Sequence, residues 1–211
     1  MRMMAAALAI SVFLMAQSAA HAEGEGERSR FWAGAGVGAL GENSETKTGL
    51  IGGAQLGWYW KYLGASFHAL HYKADNKVNT MSQGTLAMTP LMVNLFGRIP
   101  LGRDADVRVG GGFSHIRVSH ELSPEVQSFF SSRGFTVKEE VASGLGTQVL
   151  GGLNVFITQN IAVGADIIYL FFKPELTATV IRNSNGASAS ATADVKLDAV
   201  IGMANLRIYF N

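Results

Sequence analysis

From about residue 31 onward, apolar and polar residues alternate with a period of two, in segments about ten residues long separated by polar turns. The segments run roughly over 31–40, 49–60, 63–73, 84–99, 105–118, 144–157, 161–172 and 195–210. Successive side chains of a strand point to opposite faces, so this alternation predicts eight strands, each with one apolar face. The lengths suit tilted transmembrane strands, which need about 9–11 residues. No stretch sustains a helical period. One short helix is predicted, with Ser123 as N-cap, Pro124 in the first position, Glu125–Phe130 as the body and Gly134 after the end.

The connections alternate in length. Lys61-Tyr62, Pro100–Asp104 and Thr158–Asn160 are short, whereas Gly41–Thr48, Asp75–Gln83, Ser119–Ser143 and Lys173–Asp194 are longer and rich in Ser, Asn and Gly. Short turns at one end and long loops at the other are the arrangement of an outer-membrane barrel, with the short side periplasmic.

The apolar face decides between a soluble and a membrane barrel. In the last segment Val200, Gly202, Ala204, Leu206, Ile208 and Phe210 alternate with Asn205, Arg207 and Tyr209. Val107, Val109 and Phe113 alternate with Arg108, Gly110, Gly112 and Ser114, and Leu91, Val93, Leu95 and Ile99 with Met92, Asn94, Phe96 and Arg98. One face is thus Val, Leu, Ile and Phe, while the other mixes Gly with isolated charges. An arginine facing lipid at mid-depth costs roughly 2–4 kcal/mol, so Arg98, Arg108, Asp166, Asn205 and Arg207 are expected in the lumen. Aromatics gather near the segment ends, with Trp58, Trp60, Tyr62 and Phe210 on the short-turn side and Tyr169 and Phe171 towards the long loops, as in interfacial girdles.

Composition agrees. Hydrophobic residues make up 48% of the chain and charged ones 16%, against about 25% charged in a water-soluble domain. No apolar run is long enough for a transmembrane helix, which leaves the closed barrel as the way to satisfy the backbone in lipid. Basic and acidic residues nearly cancel, 17 against 16, so no nucleic-acid surface is implied, and the absence of cysteine rules out a disulfide framework. Arg2, the apolar run Ala5–Met15 and Ala20-His21-Ala22 have the layout of a secretory signal with cleavage after Ala22. The domains predicted are a signal peptide over 1–22, a lead-in over 23–30 and a barrel over 31–211. The fold class is therefore all-β, an eight-stranded antiparallel up-and-down transmembrane barrel preceded by a signal peptide.

Several runs carry a family resemblance. Asp194-Val195-Lys196-Leu197-Asp198 followed by an apolar strand ending Arg207-Ile208-Tyr209-Phe210 resembles the last strand of the outer membrane protein W family. Asp106–Phe113 resembles its glycine-rich fifth strand, Gly151–Thr158 through Asp166 its sixth-to-seventh hairpin, and Gln55–Trp58 its second strand; the wider group of small opacity-type barrels shares much of this pattern. The resemblance implies a monomeric protein of the bacterial outer membrane, contacting lipid and lipopolysaccharide and delivered by the barrel-assembly machinery. It also implies passage of small, often apolar, molecules.

Candidate chemistry is sparse. No metal motif, phosphate loop or Gly-x-Ser-x-Gly elbow occurs, and no cofactor is expected. Ser66 with His68, and Ser114, His115, Ser119, His120 and Glu121, are Ser/His sets that an ester hydrolase would need, but the His-x-Ser-Asn run of the lipid A deacylase barrels is missing at His115–Val118. The lumen charges are more informative. Arg98, Arg108 and Arg207 each lie about three residues from the short-turn end and predict a basic layer low in the barrel, with Asp166 and Asn205 higher. An eight-stranded barrel is just wide enough for its own side chains. The layer is either a plug or a gate beneath an upper cavity lined by Ile168, Leu170, Ile201 and Met203. Three roles follow: a narrow channel or carrier for small apolar molecules, a surface protein acting through its loops, or a lipid A hydrolase. The barrel itself predicts heat-modifiable migration on detergent gels; identical mobility of boiled and unboiled samples would contradict it.

Overall fold

The computed structural model describes residues 30–41, 49–78 and 81–210, without the side chains of 74–83. The signal peptide expected over 1–22, most of the lead-in and the loop residues 42–48 lie outside the described residues. Eight strands build the wall: β1 (Arg30–Leu40), β2 (Gly49–Trp60), β3 (Leu63–Val78), β4 (Met81–Pro100), β5 (Ala105–Leu122), β7 (Gly144–Phe156), β8 (Ile161–Phe171) and β11 (Ala199–Phe210). They form a closed antiparallel barrel in the order β1-β11-β8-β7-β5-β4-β3-β2. The first and last strands close the wall, with Phe31 paired to Phe210 and Leu40 to Ile201. Closure leaves no strand edge in the lipid, where an unpaired N–H or C=O would be costly.

The predicted faces are the observed ones. In β11 the odd positions are buried and the even ones exposed without a break from Ala199 to Phe210. Leu95 and Phe113 are each 71% exposed to the surroundings, whereas Arg207 and Asn154 are 0% exposed inside. Inward glycines make room for the large lumen side chains. A methyl group at Gly57 would overlap the indole of Trp32, and one at Gly164 would overlap the Arg207 guanidinium and lie 2.6 Å from Asn154 Oδ1. In so narrow a barrel each of these bulky inward groups therefore lies over a position without a side chain.

The long-loop side differs from expectation. The segments predicted as loops over 119–143 and 173–194 contain further strands, β6 (Phe135–Val141), β9 (Glu175–Arg182) and β10 (Ser188–Asp194), in a second sheet ordered β10-β9-β6. β10 is exposed throughout and β9 mixes Thr and Ala with larger residues, so neither has an apolar stripe to reveal it, and β6 shows only a short alternation of Phe135, Val137 and Val141. They are held by backbone pairing and by contacts such as Thr179 with Ser190 at 2.9 Å and Thr177 with Thr192 at 3.3 Å. The β6–β9 pair prolongs the β7–β8 pair above the rim, joined by Ala142 N donating to Glu175 O at 2.8 Å. The β3–β4 hairpin also outruns the predicted loop over 75–83, with a register shift between Asn76 and Lys77. At β11 the predicted start, Val195, is too early. Residues 195–198 form an irregular crossing in which Phe172 N donates to Asp198 Oδ1 at 3.0 Å and Leu197 N to Phe172 O at 2.9 Å. The predicted helix is present as α1 (Pro124–Ser131), with Ser123 Oγ accepting from Val126 N at 3.3 Å and Gly134 at φ +80° beyond its end.

Reversing one position on the outer face tests the phase. Leu206→Arg is expected to cost about 2–4 kcal/mol in lipid vesicles, whereas Val180→Arg in β9 should stay within about 0.5 kcal/mol of wild type, both read by reversible denaturant unfolding.

Candidate functional site

The lumen is divided into three levels. In the middle lies a buried polar network built on Asp166 of β8. Its Oδ1 accepts from Arg108 Nη2 of β5 at 2.8 Å, and its Oδ2 accepts from Arg207 of β11 and, at 3.0 Å, from Asn205 Nδ2. Arg207 also donates to Asn154 of β7 and to Gln55 Oε1 of β2 at 2.9 Å, and Gln55 Nε2 donates to Asn205 Oδ1 at 2.7 Å. Asp106 forms a second node, accepting from Arg98 Nε and Asn154 Nδ2, both at 2.8 Å. These bonds cross-link β2, β4, β5, β7, β8 and β11 through the barrel interior. A buried ion pair is more tolerable where further hydrogen bonds satisfy part of its remaining polar atoms, as Asn205 does for Asp166 Oδ2 and Gln55 and Asn154 do for the terminal nitrogens of Arg207.

Below the network is an aromatic floor of Trp32, Tyr59, Phe96 and Tyr209, with Phe156 packed against it. The guanidiniums rest on it: Arg207 lies 5.1 Å and Arg108 5.3 Å from the Trp32 ring centre, and Arg98 4.5 Å from that of Tyr59. Cation–π attraction strengthens when such groups are shielded from water. Above the network the lumen is apolar. Leu40, Ile51, Leu70, Met88, Ile116 and their neighbours form one cluster that includes all four residues predicted to line an upper cavity, Ile168, Leu170, Ile201 and Met203. These four are at most 4% exposed and pack against the rest of the cluster.

The predicted charged residues are brought together. Asp166 and Asn205 bond to each other, Asp166 to Arg108 and Arg207, and Asn205 to Gln55. Counting residues from the turns does not give these contacts, because barrel strands are tilted and staggered. The layer is thus a network of three arginines and two aspartates rather than a basic ring. Asp106, Gln55, Asn154, Trp32, Tyr59 and Phe96 complete it and are not among the site residues predicted from sequence, although Asn154 and Phe96 lie on the predicted inward face. Asp106 shares the inward phase of Arg108, and that spacing is a signal that could have found it. The girdle residues Trp58, Trp60, Phe210, Tyr169 and Phe171 face outward, 36–52% exposed, with Tyr169 and Phe171 in ring contact at 4.6 Å, and Tyr62 lies in the β2–β3 turn.

Strand alternation separates the Ser/His candidates of residues 114–121. Ser114 is buried inside while His115 is exposed on the opposite face, and Ser119 and Glu121 are exposed on the face opposite His120. His120 Nε2 instead meets Glu139 Oε2 of β6 at 3.1 Å. Ser66 and His68 both face the lumen, 5% and 1% exposed.

The sequence matches the family described as outer membrane protein beta-barrel domain over residues 5–201. The chain belongs to that family. This barrel is an integral protein of the bacterial outer membrane, in line with the W-family and opacity-type resemblance. No curated protein matches its sequence. Among solved structures the barrel is similar to OprG from Pseudomonas aeruginosa, at 12% identity over 88% of this chain and 97% of that one, with a TM-score of 0.66. It is also similar to a major outer membrane protein from Thermus thermophilus, at 12% identity over 87% and 100% with a TM-score of 0.62. For the Neisserial surface protein NspA the values are 14%, 89%, 100% and 0.55. At such identities the likeness shows the shared fold.

Removing the central carboxylate leaves two buried guanidiniums facing each other. Asp166→Ala in the barrel is expected to cost about 3–5 kcal/mol of stability, and replacing Arg108, Asp166 and Arg207 together by Met, Leu and Met to cost less than that single change. Denaturant unfolding in vesicles reads both.

Proposed function

We propose that the barrel takes up small apolar molecules from outside into the upper half of its lumen and releases them sideways into the bilayer. The observation that carries this reading is the division of the lumen. A water-filled porin is polar inside, whereas this barrel is apolar from Met203 and Ile168 upward and is closed below by a cross-linked network on an aromatic floor. An apolar solute is favoured above the network and would have to break buried ion pairs to pass below it. Hydrocarbon beside the wall is then the favourable destination. No covalent step enters this role. The closed wall supports a monomer, with outer-membrane lipid and lipopolysaccharide around the outward stripes. Strand β11, ending at the aromatic Phe210, is the segment offered to the barrel-assembly machinery.

The outer sheet favours a second role in the same molecule, recognition at the cell surface. Every residue of β10 is exposed, and Phe129 of α1 is 48% exposed.

Uptake and conductance separate a hydrophobic carrier from a pore. Vesicles containing the protein are expected to accumulate a small apolar dye or aromatic hydrocarbon faster than empty vesicles, while planar bilayers show no ion-conductance steps. Ile168→Asp should abolish the uptake while retaining heat-modifiable folding. Steady ion conductance, or uptake equal to that of empty vesicles, would overturn the reading.

A further inference from the structure

We infer that the upper surface of the polar network binds the carboxylate of an amphipathic ligand, an alkanoate of medium length, with its tail among Ile168, Leu170, Ile201 and Met203. The inference rests on the proposed uptake of apolar molecules and names the class within it that the lumen holds best.

The first observation is charge. Arg98 is answered by Asp106, but Arg108 and Arg207 share the single carboxylate of Asp166. This triad is at most 3% exposed and carries one positive charge in excess. An unbalanced buried charge is costly, and a monovalent anion relieves it. The rings of Trp32 and Phe96 lie against the guanidiniums but accept none of their N–H bonds in the plane.

The second observation is an excess of donors. Arg108 Nε, Arg207 Nε, both ring nitrogens of His68 and Ser114 Oγ are buried without a protein partner. Among the described residues the nearby acceptors in the same condition are Gln148 Oε1 and the unprotonated ring nitrogen of His68, against four N–H or O–H donors. Buried polar groups are nearly always hydrogen-bonded. A neutral imidazole offers one N–H, a hydroxyl one O–H and each guanidinium Nε one N–H, whereas a carboxylate accepts up to about four bonds.

The third is placement. His68 is paired with Gln55 across β2–β3, and Gln55 bonds to both Asn205 and Arg207, so His68 stands at the margin of the network. Met92 is paired with His68 on one side and with Ser114 on the other. Its flexible thioether belongs to the apolar cluster and can yield without breaking a hydrogen bond. A head group entering beside Met92 meets His68 and Ser114 from below, while its chain remains in the apolar half.

The test uses the full barrel in lipid nanodiscs, titrated calorimetrically with octanoate, octanol and acetate against empty nanodiscs. Octanoate is expected to bind saturably at one site. Octanol, which lacks the charge, and acetate, which lacks the tail, should each bind at least about tenfold more weakly, the scale of a hydrogen bond to a charged group. His68→Leu and Ser114→Ala should each weaken octanoate several-fold without changing octanol, and His68→Gln should restore part of the loss. The heat-modifiable band confirms folding, and Ser114→Ala, the smaller change, carries the test if His68→Leu does not fold. Equal binding of octanol and octanoate, with apolar uptake intact, overturns the carboxylate site and leaves the proposed function standing. Octanoate binding unchanged in both variants, or matched by acetate, also overturns it. Loss of both apolar uptake and all saturable binding removes the proposed function as well.

Discussion

Hydrocarbon cannot solvate a charge or an unpaired backbone N–H, and the rest of this structure depends on that limit. It forces the wall to close through β1 and β11 and sends Arg98, Asp106, Arg108, Asp166 and Arg207 to the inside. The inside of an eight-stranded barrel has little room and little water. Charges placed there must therefore satisfy one another. The Arg108–Asp166–Arg207 triad and the Arg98–Asp106 pair are the result. The same crowding explains why inward positions alternate between very large and absent side chains, as with Trp32 over Gly57 or Arg207 beside Gly164. A network that spans six strands also ties together parts of the wall far apart in sequence, such as Gln55 and Arg207. Stability and closure of the lumen thus come from one set of contacts.

How much of this is legible in the sequence follows from which side of the wall a residue serves. The eight barrel strands and their phase are readable because lipid demands an outward face of apolar and small residues, on which a charge is conspicuous. Segment 49–60 shows this well, with Leu50, Leu56, Trp58 and Trp60 outward beside the small Gly52 and Ala54 and no charge on that face, matching β2. Strands β9 and β10 are not readable, since small Ser, Ala or Thr residues occur on both of their faces, and β6 offers only a short alternation of Phe135, Val137 and Val141 interrupted by Glu139. The run Ser188–Asp194 has the composition of a loop and is a strand only because β9 lies beside it.

The lumen is legible in kind but not in arrangement. Phase alone places Arg98, Arg108, Arg207, Asp166 and Asn205 inside. It does not set their levels, because height in a barrel depends on stagger between strands, a long-range property that no single segment carries. Gln55 illustrates the gap. In sequence it is one polar residue between Ala54 and Leu56; in the fold it bonds to Asn205 and Arg207. Its importance lies in its neighbours, and those come from the far end of the chain.

The division of the lumen also sets a direction. Polar solutes find an apolar entrance, where leaving water costs them their hydrogen bonds. Apolar solutes find the reverse, a favourable entrance and a costly floor. Breaking the floor means separating guanidiniums from Asp166 and Asp106 in a region shielded from water, which is among the more expensive changes a protein interior can undergo. Shifting methionines such as Met92 and Met203 at the bottom of the apolar half needs no ion pair to open. The upper lumen is thus the more compliant part of this barrel and the floor is the rigid part. Under the proposed uptake, an apolar molecule from outside is held above that floor.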